Sequence, residues 1–171
     1  MLISRLGSSS MKKKSSIVFL AIAFCVECSI DAMEPAPKRQ KIYDAIEKAV
    51  DTAQKELWLA VTNKGLGRFS HLANAIEALR GARLPIDTTL RIPDCAGLTH
   101  GHKTMLSWVA YYQEPDLVAS LLEQGAGPNS LNHYKRSPLH EVFMNYRDIK
   151  PCAQQEVVSE LLVAGESVES Y

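Results

Sequence analysis

Thiolate and imidazole are the side chains that bind zinc best, and Cys95, His100 and His102 place one thiol and two imidazoles close together in the sequence. A structural zinc centre needs four such donors, and a catalytic one needs three with room for water. Only three candidates occur, their spacing fits no common zinc module, and no second ligand pair follows downstream. A small metal-dependent enzyme using Cys95, His100 and His102 is therefore the alternative reading. Other catalytic signatures are missing: there is no Gly-rich phosphate loop, no G-x-S-x-G elbow and no pair of carboxylates in a recognisable setting. The leading reading assigns no catalytic residue, no metal and no cofactor.

The fifth histidine, His140, belongs to a different pattern. Ser137-Pro138-Leu139-His140 follows Thr104-Met105-Leu106-Ser107 at an offset of 33 residues, a spacing typical of helical repeats. The correspondence runs on. After Thr104 come Ala110, the pairs Leu117-Val118 and Leu121-Leu122, and then Gly125-Ala126. After Ser137 come Val142, the pairs Val157-Val158 and Leu161-Leu162, and then Gly165. Apolar pairs four residues apart share one helix face, and the glycine falls where a helix takes a left-handed terminal residue. The second copy reaches its Val-Val pair seven residues late, so an insertion is expected between Met144 and Cys152.

These residues resemble the ankyrin repeat family, whose units open on T-P-L-H-x-A. The resemblance implies an all-α fold: a short solenoid of helix-turn-helix units joined by hairpin-like loops. Two units match, residues 99–132 and 133–171, and a weaker one lies at about 55–93. In the weak unit Leu57, Trp58, Ala60 and Val61 belong to the first helix and Leu72, Ala75, Ile76 and Leu79 to the second, with Gly81-Ala82 closing it out of phase with the others. Terminal units of such arrays are usually atypical. The family also implies a structural role for His140, hydrogen-bonded to the Ser three positions before it. Ser137 is expected as N-cap, with Pro138 and Pro115 in first helical turns. Trp108 is expected to pack internally.

Before the repeats, apolar residues Ile42, Ile46, Ala49, Ala53, Leu57 and Ala60 recur at helical spacing up to Asn63-Lys64-Gly65, which predicts a long capping helix. Residues 33–41 read as a linker, in which Glu34-Pro35-Ala36-Pro37 is stiff and extended. Lys38-Arg39-Gln40-Lys41 reads as a solvated helix start, with a nuclear address as the sharper alternative. Residues 83–99 form a long, irregular connection carrying Pro85, Pro93 and Gly97.

The N-terminus carries an address. Lys12-Lys13-Lys14 precedes an uninterrupted apolar run of ten residues, Ile17 to Val26, and small residues follow. That order is a secretory signal peptide over residues 1–32, cleaved after Ala32, with Met11 as an alternative start. The run is shorter than the about 20 residues that span a bilayer, so no membrane span is expected after cleavage. An uncleaved anchor or a buried helix is the competing interpretation. Export to the periplasm or the medium follows. There Cys95 and Cys152 remain as an even pair, but the family places them at opposite ends of the helical stack, which argues against a disulfide.

The whole chain holds 19 basic and 19 acidic residues; with four basic and two acidic ones in residues 1–32, the remainder is slightly acidic. No one-signed field exists, and nucleic-acid binding is disfavoured. The partner implied by the resemblance is another protein, held on the hairpin tips and the concave helix face. Carried over to this chain, those positions are His100, Lys103, Tyr111 and Tyr112 in one unit and His133, Tyr134, Arg136, Met144 and Asn145 in the next. Tyr, Met and Arg are enriched in protein interfaces. A third reading makes the chain a truncated, non-functional fragment of a longer array, since few residues follow Gly165.

Overall fold

The computed structural model describes residues 36–91, 101–145 and 150–165. It contains two compact units, Met1–Tyr43 and Asp44–Tyr171. Of the first, residues 36–43 are described, as the opening turns of a helix. The signal peptide, Cys95 and His100 lie outside the described residues. Among those that are described the fold is all-α, with six helices and one isolated antiparallel bridge, Leu90 to Lys103.

Helix α1, Ala36–Thr62, has no glycine or internal proline to interrupt it, and it buries Ile46, Val50, Ala53, Leu57, Ala60 and Val61 along one stripe. It begins slightly earlier than expected: Ala36 and Pro37 are already helical, which corrects their reading as extended, and residues 38–41 form the expected helix start. The reason is positional. A proline at the first turn loses no hydrogen bond, because the first N–H groups of a helix have no internal partner anyway, and Pro37 sits there.

Helix α2, Arg68–Gly81, buries the expected Leu72, Ala75, Ile76 and Leu79. It is tied to α1 by Glu56, whose carboxylate meets His71 Nδ1 at 2.8 Å and accepts from Asn74 Nδ2 at 3.4 Å. The His71 contact holds the Glu56 carboxyl below the usual carboxylate range, although burial opposes it. Gly81 and Ala82 do not close this helix in the left-handed conformation. Arg83 does, at φ 59°, with Leu84 N–H bonded to Leu79 C=O at 2.9 Å. Gly125 at φ 87° and the Ala126 N–H to Leu121 C=O bond of 3.0 Å repeat that geometry. Counted to Arg83 instead of Gly81, the spacing is the same at all three helix ends: Leu79, Leu121 and Leu161 each lie four residues before the left-handed residue.

The remaining helices form two stacked pairs: α3 (Met105–Tyr111) with α4 (Pro115–Glu123), and α5 (Pro138–Val142) with α6 (Pro151–Val163). Helix α3 also packs on α5 and α4 on α6, so like lies beside like. Pro115, Pro138 and Pro151 open three of the four. The expected insertion is divided. Matching Val157 to Leu117, α6 starts about one turn earlier than α4, and the rest lengthens the connection before it. Cys152 consequently lies in the first turn of α6, exposed and free, rather than in the turn between helices.

Polar contacts join the pairs. Glu114 reaches both ways, to Arg68 Nη1 at 3.2 Å and Lys150 Nζ at 2.8 Å. Buried Gln113, itself at φ 56°, donates from Nε2 to Val142 C=O at 3.5 Å and accepts the Lys150 N–H at 2.8 Å, capping α6 from the neighbouring pair. Asp87 accepts the Gly127 N–H at 3.0 Å. No described helix is long and apolar enough to cross a membrane.

Candidate functional site

The two later pairs open on the same local device. Thr104 Oγ1 accepts the Ser107 N–H at 3.1 Å and lies 3.0 Å from Ser107 Oγ; Ser137 Oγ lies 2.7 Å from His140 Nδ1, which also accepts the Ser137 N–H at 3.3 Å. Each N-cap leaves the helix start satisfied. A hydroxyl at 2.7 Å from an imidazole nitrogen is also the distance of a nucleophile and its base. Here Ser137 is 1% exposed and the same nitrogen is shared with a backbone N–H, so the contact is a cap. Burial, followed by repulsion from Arg136, pushes the His140 imidazole below its usual range, and Glu141 opposes the shift.

Ahead of each cap lies a connection with its own backbone ties. In the first, Leu90 and Lys103 exchange both backbone hydrogen bonds, 2.7 and 3.0 Å. The second is tight: Asn132 Oδ1 accepts the N–H groups of Tyr134 at 2.8 Å and Arg136 at 3.0 Å, and Lys135 turns the corner at φ 58°. The His133 N–H donates to His102 C=O at 3.0 Å, fastening one connection to the other.

On the outside of this junction sit His102, His133, Tyr134, Lys135 and Arg136. The rings of His102 and His133 are 6.1 Å apart, those of His133 and Tyr134 5.6 Å, and the Arg136 guanidinium lies 5.5 Å from the Tyr134 ring centre. Tyr134 is 51% exposed. Its ring passes so close to Gly101 that a Cβ there would enter it. Burial, then the charges of Arg91 and His133, pushes the His102 imidazole below its usual range.

Beneath the tips is a buried polar cluster. Lys103 Nζ donates to Glu141 Oε2, and Asn132 Nδ2 donates to Glu141 Oε1 at 2.6 Å. The ammonium lies 4.0 Å from the Tyr111 ring centre and 4.8 Å from that of Trp108. Trp108 is buried as expected, its Nε1–H donating to Leu90 C=O at 3.0 Å. Burial lowers the proton affinity of Lys103, and the hydrogen bond to Glu141 opposes that shift.

The expected partner-binding residues therefore divide. His133, Tyr134 and Met144 are exposed and Arg136 is half-buried. Tyr111 and Tyr112 are both half-buried, Tyr112 stacked on Trp108 with ring centres 6.2 Å apart and edge-on to Trp58. Two of the expected residues are buried instead of exposed. Lys103 is 4% exposed because Glu141 and two aromatic rings enclose its charge. Asn145 is buried because its Nδ2 donates to Tyr111 C=O at 3.0 Å. Of the zinc candidates only His102 is described, with its ring against His133; among the described residues no group of three or more potential ligands is arranged to hold a metal.

Sequence reasoning passed over Arg91, Lys135, Asn132, Glu141 and Phe143. The last had a signal. Phe143 stands 33 positions after Ala110, which is buried, yet Phe143 is 58% exposed, because α5 covers α3 and no described element covers the matching face of α5. On α6, Leu162 and Val163 are exposed although they follow buried Leu161 directly in sequence. Comparison with protein-family models, curated proteins and solved structures finds no significant match to this chain.

Proposed function

We propose that this chain is a short ankyrin-type repeat protein, exported by its N-terminal signal, whose work is to bind another protein. One observation carries the reading. The 33-residue sequence step is also a structural step, in which two hydroxyl-capped helices start alike, stack side by side and follow connections that are hydrogen-bonded to each other. A solenoid of this kind offers an extended surface rather than an enclosed pocket. The tips hold a half-exposed Tyr134 with Arg136 on its ring, the residue types that contribute contact area with little loss of side-chain freedom. Protein binding is the function that the resemblance to ankyrin repeats suggests for such an architecture, and a direct test follows.

That test is affinity capture with the full chain as bait, followed by titration of whatever partner is identified. Tyr134→Ala is expected to weaken a genuine partner by about tenfold or more, as truncation of an aromatic anchor does. A partner bound equally by wild type and by Tyr134→Ala removes the tips from the reading. For export, the mature protein is expected to begin at Met33; an intact N-terminus at Met1 or Met11 overturns the signal assignment.

A further inference from the structure

We infer that the outer face of the last helix pair, formed by Phe143 at the end of α5 and by Gln155, Val158, Ser159 and Leu162 on α6, joins two copies of this chain in a two-fold dimer. The four α6 residues stand at i, i+3, i+4 and i+7, which sets them in one stripe along the helix. Their matches on α4 are Pro115, Val118, Ala119 and Leu122. There the stripe is covered: Val118 is fully buried and the other three are half-buried, with α6 packed on α4. On α6 each of the four is more exposed than its match. Val158 is half-buried, and Gln155, Ser159 and Leu162 are exposed. The first helices repeat the comparison: Ala110 is fully buried where α5 lies on α3, and Phe143, its match, is 58% exposed.

The face therefore continues an interface that the molecule already uses between its two pairs, and that continuity says what covers it: another apolar helix pair. Its chemistry points to a second copy. The outer face of a terminal unit is normally polar. Here none of the four stripe residues on α6 is charged, and Val163, 84% exposed beside them, stands where α4 has the charged Glu123. Such a surface meets its own image without burying like charges, and a two-fold interface sets one patch against the same patch. Size sets the strength. Helix α6 has 13 residues. A patch one helix pair wide is thus about 20 Å by about 20 Å, small for a specific interface, so the dimer is reversible with a dissociation constant in the micromolar range. The face shares no residue with Tyr134 and Arg136, so it goes beyond the reading above, and either can fail alone.

Sedimentation velocity of the full chain from about 2 to about 200 µM brackets that range. Phe143→Glu and Leu162→Glu run in parallel, with Leu66→Glu as a control in the turn between α1 and α2. Thermal unfolding of each variant establishes that it is folded; all three side chains are exposed, so their replacement leaves the core untouched. The expected result is a concentration-dependent equilibrium of monomer and dimer, weakened about tenfold or more by Phe143→Glu and by Leu162→Glu, because each sets carboxylates from both copies in an apolar contact, and unchanged by Leu66→Glu. A chain that stays monomeric at the highest concentration, a dimer indifferent to Phe143→Glu and Leu162→Glu, or a dimer weakened as much by Leu66→Glu overturns the inference. Assemblies that grow beyond the dimer overturn it as well. A monomer that instead captures a different protein through Leu162 overturns it in favour of that partner.

Discussion

Lys103 and Glu141 lie 38 positions apart and form a buried ion pair that crosses from the residue before the α3 N-cap to the first helix of the next pair. Neither charge has water to fall back on. Removing one partner leaves the other buried and unpaired, so Glu141→Gln and Lys103→Met are each expected to cost about 3–5 kcal/mol. The double replacement should cost clearly less than the two single costs combined. A double-mutant cycle by urea unfolding measures this, and simple additivity would mean that the pair does not interact.

Arg83 takes a left-handed conformation that Gly125 and Gly165 occupy in the matching positions. A side chain there works against its own backbone, so Arg83→Gly is expected to stabilise the fold by about 0.5–1 kcal/mol. The reverse change, Gly125→Ala, should destabilise by about 1 kcal/mol, although its Cβ would meet no neighbour. Urea midpoints of the two variants moving in the same direction would contradict this account of the helix ends.

Gly101 is required by proximity rather than by φ. In Gly101→Ala the new methyl collides with the Tyr134 ring, which must swing away from Arg136. Helicity should be unchanged while the Tyr134 ring resonances move in an NMR spectrum. Unaltered resonances would mean that the ring does not rest on Gly101.

The shifts at His102 and His140 fix a pH response. Both imidazoles take up a proton less readily when folded than the usual value of 6.5 allows. Between that value and the depressed one the unfolded chain binds more protons, so acid favours unfolding. Stability is therefore fully present above about pH 6.5 and is lost as pH falls through the folded-state values. Urea midpoints at pH 7.5 and 5.5 should differ in wild type and differ less in His102→Gln/His140→Gln. A wild-type midpoint that rises on acidification would reverse the sign.

Helix positions were legible wherever spacing alone determines them. Leu72, Ala75, Ile76 and Leu79 fall inside as their period demands, and Ser137 caps α5 because a hydroxyl one residue before a proline has little else to do. What escaped depends on partners distant in sequence. Lys103 reads as a surface cation until Glu141 arrives from another helix, and Asn145 as a surface amide until it meets the Tyr111 carbonyl. Arg83 was hidden for another reason: a left-handed residue that is not glycine leaves no mark in composition. Prolines misled once, since Pro37 stops a helix that precedes it but not one that starts there.

Helix α5 has only five residues, and α6 takes its first cap from Gln113, a residue of the preceding pair. A helix so short cannot nucleate alone in water. Its formation must wait for α3 to offer a surface and for the turn after α3 to present Gln113. The last pair thus depends on the pair before it both for a packing surface and for its first cap.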